Sequence, residues 1–223
     1  MRTLQLSHIK KAIEIRANPA KATAMSKYLR DQFPFYGLQA TAQGEALKEA
    51  LQNREIPVGR EFQALVNDLW NQPHREYHYM ATTLMKRRKK SFTFEDLPFL
   101  ENLIVSKSWW DTVDSIAPHG IAHALLTQPN QIPAQIQVWL DSENIWLQRV
   151  TLIWQLLRKA ETDTQLLGHA IQSTLPSNEF FIQKAIGWAL RQYAKTDPSW
   201  VLNYTATHDL PSLAKREALK HFN

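Results

Sequence analysis

The chain has 223 residues and no cysteine, and its 44% hydrophobic and 21% charged residues suit a folded globular chain while excluding a disulfide scaffold or thiolate metal site. No apolar run approaches the roughly 18 residues needed to span a bilayer, and Met1 to Arg16 lacks the continuous apolar segment of a signal peptide, so a reducing cytoplasm is expected. Lys and Arg number 26 against 21 Asp and Glu, a net charge of +5, which favours a polyanionic ligand such as nucleic acid or an anionic membrane.

In chain order the apolar spacing predicts helices almost throughout, and nothing shows the sustained two-residue alternation of a strand. Leu4, Ile9 and Ile13 open a first helix that Asn18-Pro19 is expected to stop. Further helices are expected over 21–32, 44–53, 59–72 and 76–90, the last ending in the cationic run from Lys86 to Lys90. Beyond it, Pro98, Pro118, Pro129, Pro133, Pro176, Pro198 and Pro211 punctuate the helices, with Ser108, Asp163 and Ser177 as nearby caps. One domain over residues 1–223 is expected.

The second half carries a weak repeat. Trp146-Leu147-Gln148-Arg149, Phe181-Ile182-Gln183-Lys184 and Leu213-Ala214-Lys215-Arg216 share an apolar-apolar-polar-basic pattern, with starts 35 and 32 residues apart. A period of about 30 to 47 residues with helix pairs between turns marks an α-solenoid such as HEAT. Stacked repeats would align Arg149, Lys184 and Arg216 along one edge. Solvated helix edges are often basic too, so this alone does not decide for a ligand.

On a helical wheel for 180–195, Ile182, Ile186, Leu190 and Tyr193 form an apolar face. Lys184, Trp188, Arg191 and Lys195 form a second stripe at spacings of four, three and four. Cations that neutralise phosphate beside an aromatic that stacks on base or sugar would explain that stripe. The alternative is that Trp188 plugs a neighbouring repeat.

Over 107–117, Trp109, Val113 and Ile116 share a core face, whereas Trp110 and Asp114 stand at i and i+4 on another, with Lys107 on the same side. An indole face attracts a cation, and an adjacent carboxylate stabilises positive charge developing nearby. Asp111 is offset around the wheel and is expected to cap or pair locally. The i,i+4 pairs His74/His78 and His119/His123 have zinc-compatible spacing, yet lack the Glu of HExxH and a visible third ligand, and read as surface or core histidines. There is no Walker loop, GxGxxG or GxSxG.

Five segments carry a resemblance. They are Phe33-Pro34-Phe35-Tyr36-Gly37, Trp109-Trp110-Asp111-Thr112-Val113-Asp114, Asn144-Ile145-Trp146-Leu147-Gln148-Arg149, the stretch from Phe180 to Arg191, and Lys215-Arg216-Glu217-Ala218-Leu219. In this order they resemble the DNA alkylation repair glycosylases of the AlkD family. The resemblance implies an all-α solenoid of HEAT-like helix pairs with a concave basic face, acting on double-stranded DNA without metal or organic cofactor. It implies excision of cationic N3- and N7-alkylated purines, with the target base left stacked. By position Asp114 matches the catalytic carboxylate, Trp110 and Trp188 the aromatics lining the lesion nucleotide, and Arg149 the cation of that site, expected to hold phosphate. Lys107, Lys184, Arg191, Lys195 and Arg216 are the expected DNA contacts of a monomer, cytoplasmic and nucleoid-associated. Ala42-Gln43-Gly44-Glu45 replaces an Arg-rich helix start, which removes two cations from the N-terminal repeats. A non-catalytic paralogue that binds damaged or branched DNA and a protein-interaction adaptor are the competing readings.

Overall fold

The computed structural model describes residues 2–222. It is all-α apart from one parallel pair of two-residue strands, β1 (Arg2–Thr3) beside β2 (Arg54–Glu55). Such a pair is too short to show two-residue alternation, which is why the sequence pattern predicts no strand. The chain folds as two compact units, one running to Arg88 and the other from Lys89 onward.

The first unit holds α1 (Leu6–Glu14), α2 (Pro19–Tyr28), α3 (Ala40–Ala50), α4 (Gly59–Trp70) and α5 (Arg75–Arg87). Its core includes Ile9, Ile13, Leu47, Val66, Leu69 and Leu84. Asn18-Pro19 starts a helix rather than stopping one: the Asn18 side chain accepts from the Lys21 amide, and Pro19 takes the first helical position. That helix ends at Tyr28, short of the expected 32, because Arg30 and Asp31 turn into the left-handed region at φ 57° and 56°.

A buried acid organises this unit. Glu76 is fully buried, and its carboxylate accepts the amides of Tyr36 at 3.0 Å, Gly37 at 2.8 Å and Leu38 at 3.0 Å. These bonds pin the Phe33–Leu38 loop to α5. Only glycine fits at 37, where φ is +94° and a Cβ would lie 2.1 Å from the Asn18 carbonyl oxygen. His74 stacks on Tyr36 at 3.8 Å. His78 is a core histidine, in contact with Arg75 Nη1 at 3.0 Å and the Gln72 carbonyl at 3.1 Å.

The second unit holds α6 (Leu97–Val105), α7 (Trp110–Ile116), α8 (Ala122–Leu125), α9 (Ile132–Leu140) and α10 (Ile145–Ile153). It continues with α11 (Thr164–Thr174), α12 (Phe180–Tyr193), α13 (Pro198–Thr207) and α14 (Ser212–Ala218). Several of the punctuating prolines sit at helix starts: Pro98 in α6, Pro133 in α9 and Pro198 in α13 lie within the first two positions. Pro118 is the exception, because the chain stays helical through it. Residues Ala117–Ile121 form a π turn, closed by the Ala122 amide on the Ala117 carbonyl, that joins α7 to α8. Pro118 has no N–H for the carbonyl four residues back, that of Asp114, so the ladder widens instead of continuing regularly. The caps are mixed. Asp163 accepts from the Leu166 amide as expected, whereas Ser108 bonds back to Ile104 and leaves Trp109 at the cap position. Ser177 accepts from the amide of Glu179, which occupies the N-cap position of α12 without a side-chain capping bond.

The helix α12 is central to this unit and packs against both α10 and α14. Ile182, Ile186 and Leu190 are fully buried, as their wheel position predicts, while Tyr193 is half-buried. The three segments of the sequence repeat thus fall on packed neighbours. At Gly187 the approach of α14 is close: a Cβ there would meet Ala214 O at 2.6 Å and Glu217 Cβ at 2.5 Å.

Candidate active site

The second unit assembles its site from α7, α10 and α12. Asp114 lies on α7 one turn beyond Trp110, just before the π turn, with Val113 and Ile116 buried on the opposite face. Arg149 projects from α10 and meets it: Nε donates to Oδ1 and Nη2 to Oδ2, both at 2.8 Å. Nη1 of the same guanidinium donates to the Phe181 carbonyl in the first turn of α12. One arginine therefore ties three helices together with the two-pronged geometry that suits carboxylate.

Burial separates the partners. The Arg149 side chain is 5% exposed and that of Asp114 16%, so the carboxylate reaches solvent from one side while the guanidinium closes the other. Burial pushes the Asp114 carboxyl above its ordinary value, and Arg149 pulls in the opposite direction. The expected phosphate contact does not fit an arginine whose nitrogens are turned inward; its geometry is that of a group orienting Asp114. Beside the pair, Trp109, Trp146 and Phe181 form an aromatic cluster with ring centroids 5.1–5.9 Å apart. Trp110 is half-buried at the first position of α7. Trp188 is half-buried on α12 and makes no hydrogen bond or ring contact among the described residues.

The basic stripe is not uniformly free. Lys184 Nζ lies 2.9 Å from Glu217 Oε1, and Arg191 Nη1 lies 2.6 Å from Glu217 Oε2. Held first by Lys184 and then by Arg191, the Glu217 carboxyl falls to about 2. The wheel places those cations on one face but cannot show that α14 delivers an acid to it. The signal available was a glycine inside a helical pattern, Gly187, which marks a close approach of backbone. Lys107, Lys195 and Arg216 are exposed. Lys107 is held in the left-handed region at φ 49°, and Lys195 bonds Gln192 at 2.8 Å. The repeat cations thus have three different fates: Arg149 buried, Lys184 paired and Arg216 in solvent.

The histidines nearest in sequence to Asp114 lie on the π turn and α8. His123 Nδ1 is 2.8 Å from the His119 carbonyl. Burial pushes the His123 ring below its usual value, Lys89 and Lys90 push it the same way, and the bond to His119 opposes them.

A family model described as DNA alkylation repair enzyme matches residues 9–222. Among solved structures, a "predicted DNA alkylation repair enzyme" from Enterococcus faecalis is 33% identical, with a TM-score of 0.81 over 92% of this chain and 96% of that one. No curated protein matches the sequence.

Proposed function

We propose that this chain, which belongs to the DNA alkylation repair enzyme family, is a DNA glycosylase that releases cationic N3- and N7-alkylated purines from double-stranded DNA. The observation that carries the reading is Asp114: a carboxylate open to solvent on one side and held through both oxygens by Arg149 on the other.

Alkylation at N7 or N3 leaves the purine positively charged. When the C1′–N9 bond breaks (N9 in 7-methylguanine and 3-methyladenine alike), the bonding electrons neutralise the departing base and the sugar is left oxocarbenium-like. A preorganised carboxylate beside that sugar favours the transition state over the ground state. Asp114 would supply this charge and orient the water that adds to C1′. Arg149 positions it, Trp110 and Trp188 pack on the deoxyribose, and Lys107, Lys195 and Arg216 meet phosphates. Burial holds the His123 ring below its ordinary value, which disfavours the imidazolium form that a general acid needs. An already cationic leaving group removes the need for such an acid. The successive packing of α10, α12 and α14 supports the HEAT-like reading of this unit.

Single-turnover base release from duplexes that each carry one defined lesion tests the proposal. Release of 7-methylguanine and 3-methyladenine is expected, without release of uracil, hypoxanthine or 8-oxoguanine. DNA binding without release would identify a non-catalytic relative. Neither binding nor release would favour a protein-interaction adaptor.

A further inference from the structure

Next to the basic stripe, the end of α10, the segment 155–162, α11 and the end of α12 line a cavity of about 240 Å³. Its floor is apolar, formed by Leu152, Leu156, Leu167 and Ala189. Its mouth carries Lys159 and Lys195, and Tyr193, Thr162 and Thr196 line the space between floor and mouth. Among the described residues, the side-chain oxygens of those last three and the Lys159 ammonium make no hydrogen bond or ion pair. Lys195 bonds only the Gln192 amide oxygen, and the Gln192 amide nitrogen donates to no described residue. Burial pushes the Tyr193 hydroxyl above its usual value, consistent with a neutral donor facing the cavity.

An apolar floor with a few converging polar groups is the make-up of a ligand site rather than of a packing defect. The volume lies just under the ~300–1,000 Å³ of drug-sized sites, which suits one planar heterocycle with its polar substituents outside. Two ammonium groups at the mouth suit a phosphate. We propose that this cavity binds a single nucleotide: base on the Leu152–Leu167 floor, edge bonded by Tyr193 and Gln192, phosphate between Lys159 and Lys195. Two sources share that chemistry, a free nucleoside monophosphate and an unpaired nucleotide of a DNA strand. Asp114 and Arg149 do not line the cavity, so the proposal does not draw on the proposed catalytic pair; it shares only Lys195 with the DNA contacts of the glycosylase reading.

The full chain is titrated calorimetrically with adenosine and guanosine 5′-monophosphates, the parent nucleosides and inorganic phosphate. Monophosphates are expected to bind, nucleosides more weakly, and phosphate alone not measurably. Ala189→Leu, which fills the floor, should abolish binding. Tyr193→Phe, which removes one hydroxyl from a folded ring position, should weaken it about 3- to 10-fold. A second arm measures a duplex with one bulged 2-aminopurine, with guanosine monophosphate as competitor. Competition assigns the site to a DNA nucleotide as well, and its absence with monophosphate binding assigns it to the free nucleotide. Absence of monophosphate binding, whatever the duplex does, or binding unchanged in both variants, overturns the proposal. Release of 7-methylguanine is followed in parallel, and Tyr193→Phe should leave it unchanged, so the two readings fail separately.

Discussion

Two carboxylates in the second unit meet cations across helices, and they respond in opposite directions. Asp114 faces one arginine in a partly dry setting, and burial raises its carboxyl despite that partner. Glu217 faces two cations, Lys184 and Arg191, and falls to about 2. At Asp114 the desolvation of the acid outweighs its one cation; at Glu217, which is less desolvated, bonding to two cations wins. The first arrangement leaves a carboxylate reachable from solvent, and the second joins α14 to α12 and pairs two cations of the stripe.

The sharpest way to break this contrast is to remove the single partner. Arg149→Ala leaves Asp114 partly buried without its cation and should cost about 3–5 kcal/mol of stability, read from urea unfolding. A loss below about 1 kcal/mol, the level of an exposed pair, would mean that Asp114 is effectively solvated. Asp114→Asn keeps the shape and removes the charge, so base release should fall about 10²–10³-fold, the scale of one lost preorganised charge. Duplex affinity should change little. In the intact protein the acid limb of release should lie above the ordinary aspartate value of about 3.9, since Asp114 must be ionised and its folded value is raised. A limb at or below 3.9 would argue against burial as its governing influence.

Glu217→Gln probes the second carboxylate. It frees two cations from a competing acid, so DNA affinity should rise a few-fold and the salt dependence should steepen by up to about two units of slope. Weaker binding would show instead that Glu217 is needed to place Lys184 and Arg191. The folded value is depressed from 4.5 to about 2, so the contribution of Glu217 to stability is present above about 4.5 and is lost as pH falls toward 2. That part of the acid unfolding profile should flatten in the glutamine variant. Smallest is Lys195→Ala, at an exposed position. It should weaken alkylated and plain duplexes alike and flatten the salt slope by at most about one unit.

The sequence alone was enough for the all-α class, the buried faces of α7 and α12, the i,i+4 pair of Trp110 and Asp114, and the three repeat segments. All of these depend on the helical period, a local property carried by neighbouring residues. Segments resembling a repair family also led to the membership that the comparisons support. Partner choice was not legible. That Arg149 turns to Asp114 and not to solvent, that Glu217 takes two cations of the stripe, and that Glu76 holds the amides of Tyr36, Gly37 and Leu38 all join residues 26 to 40 positions apart. Such pairings follow from how helices pack, and burial then sets what each charge does. The π turn at Pro118 shows the same division at short range. The proline forbids one backbone bond, but that the chain continues through it as a buried π turn is visible only in the structure.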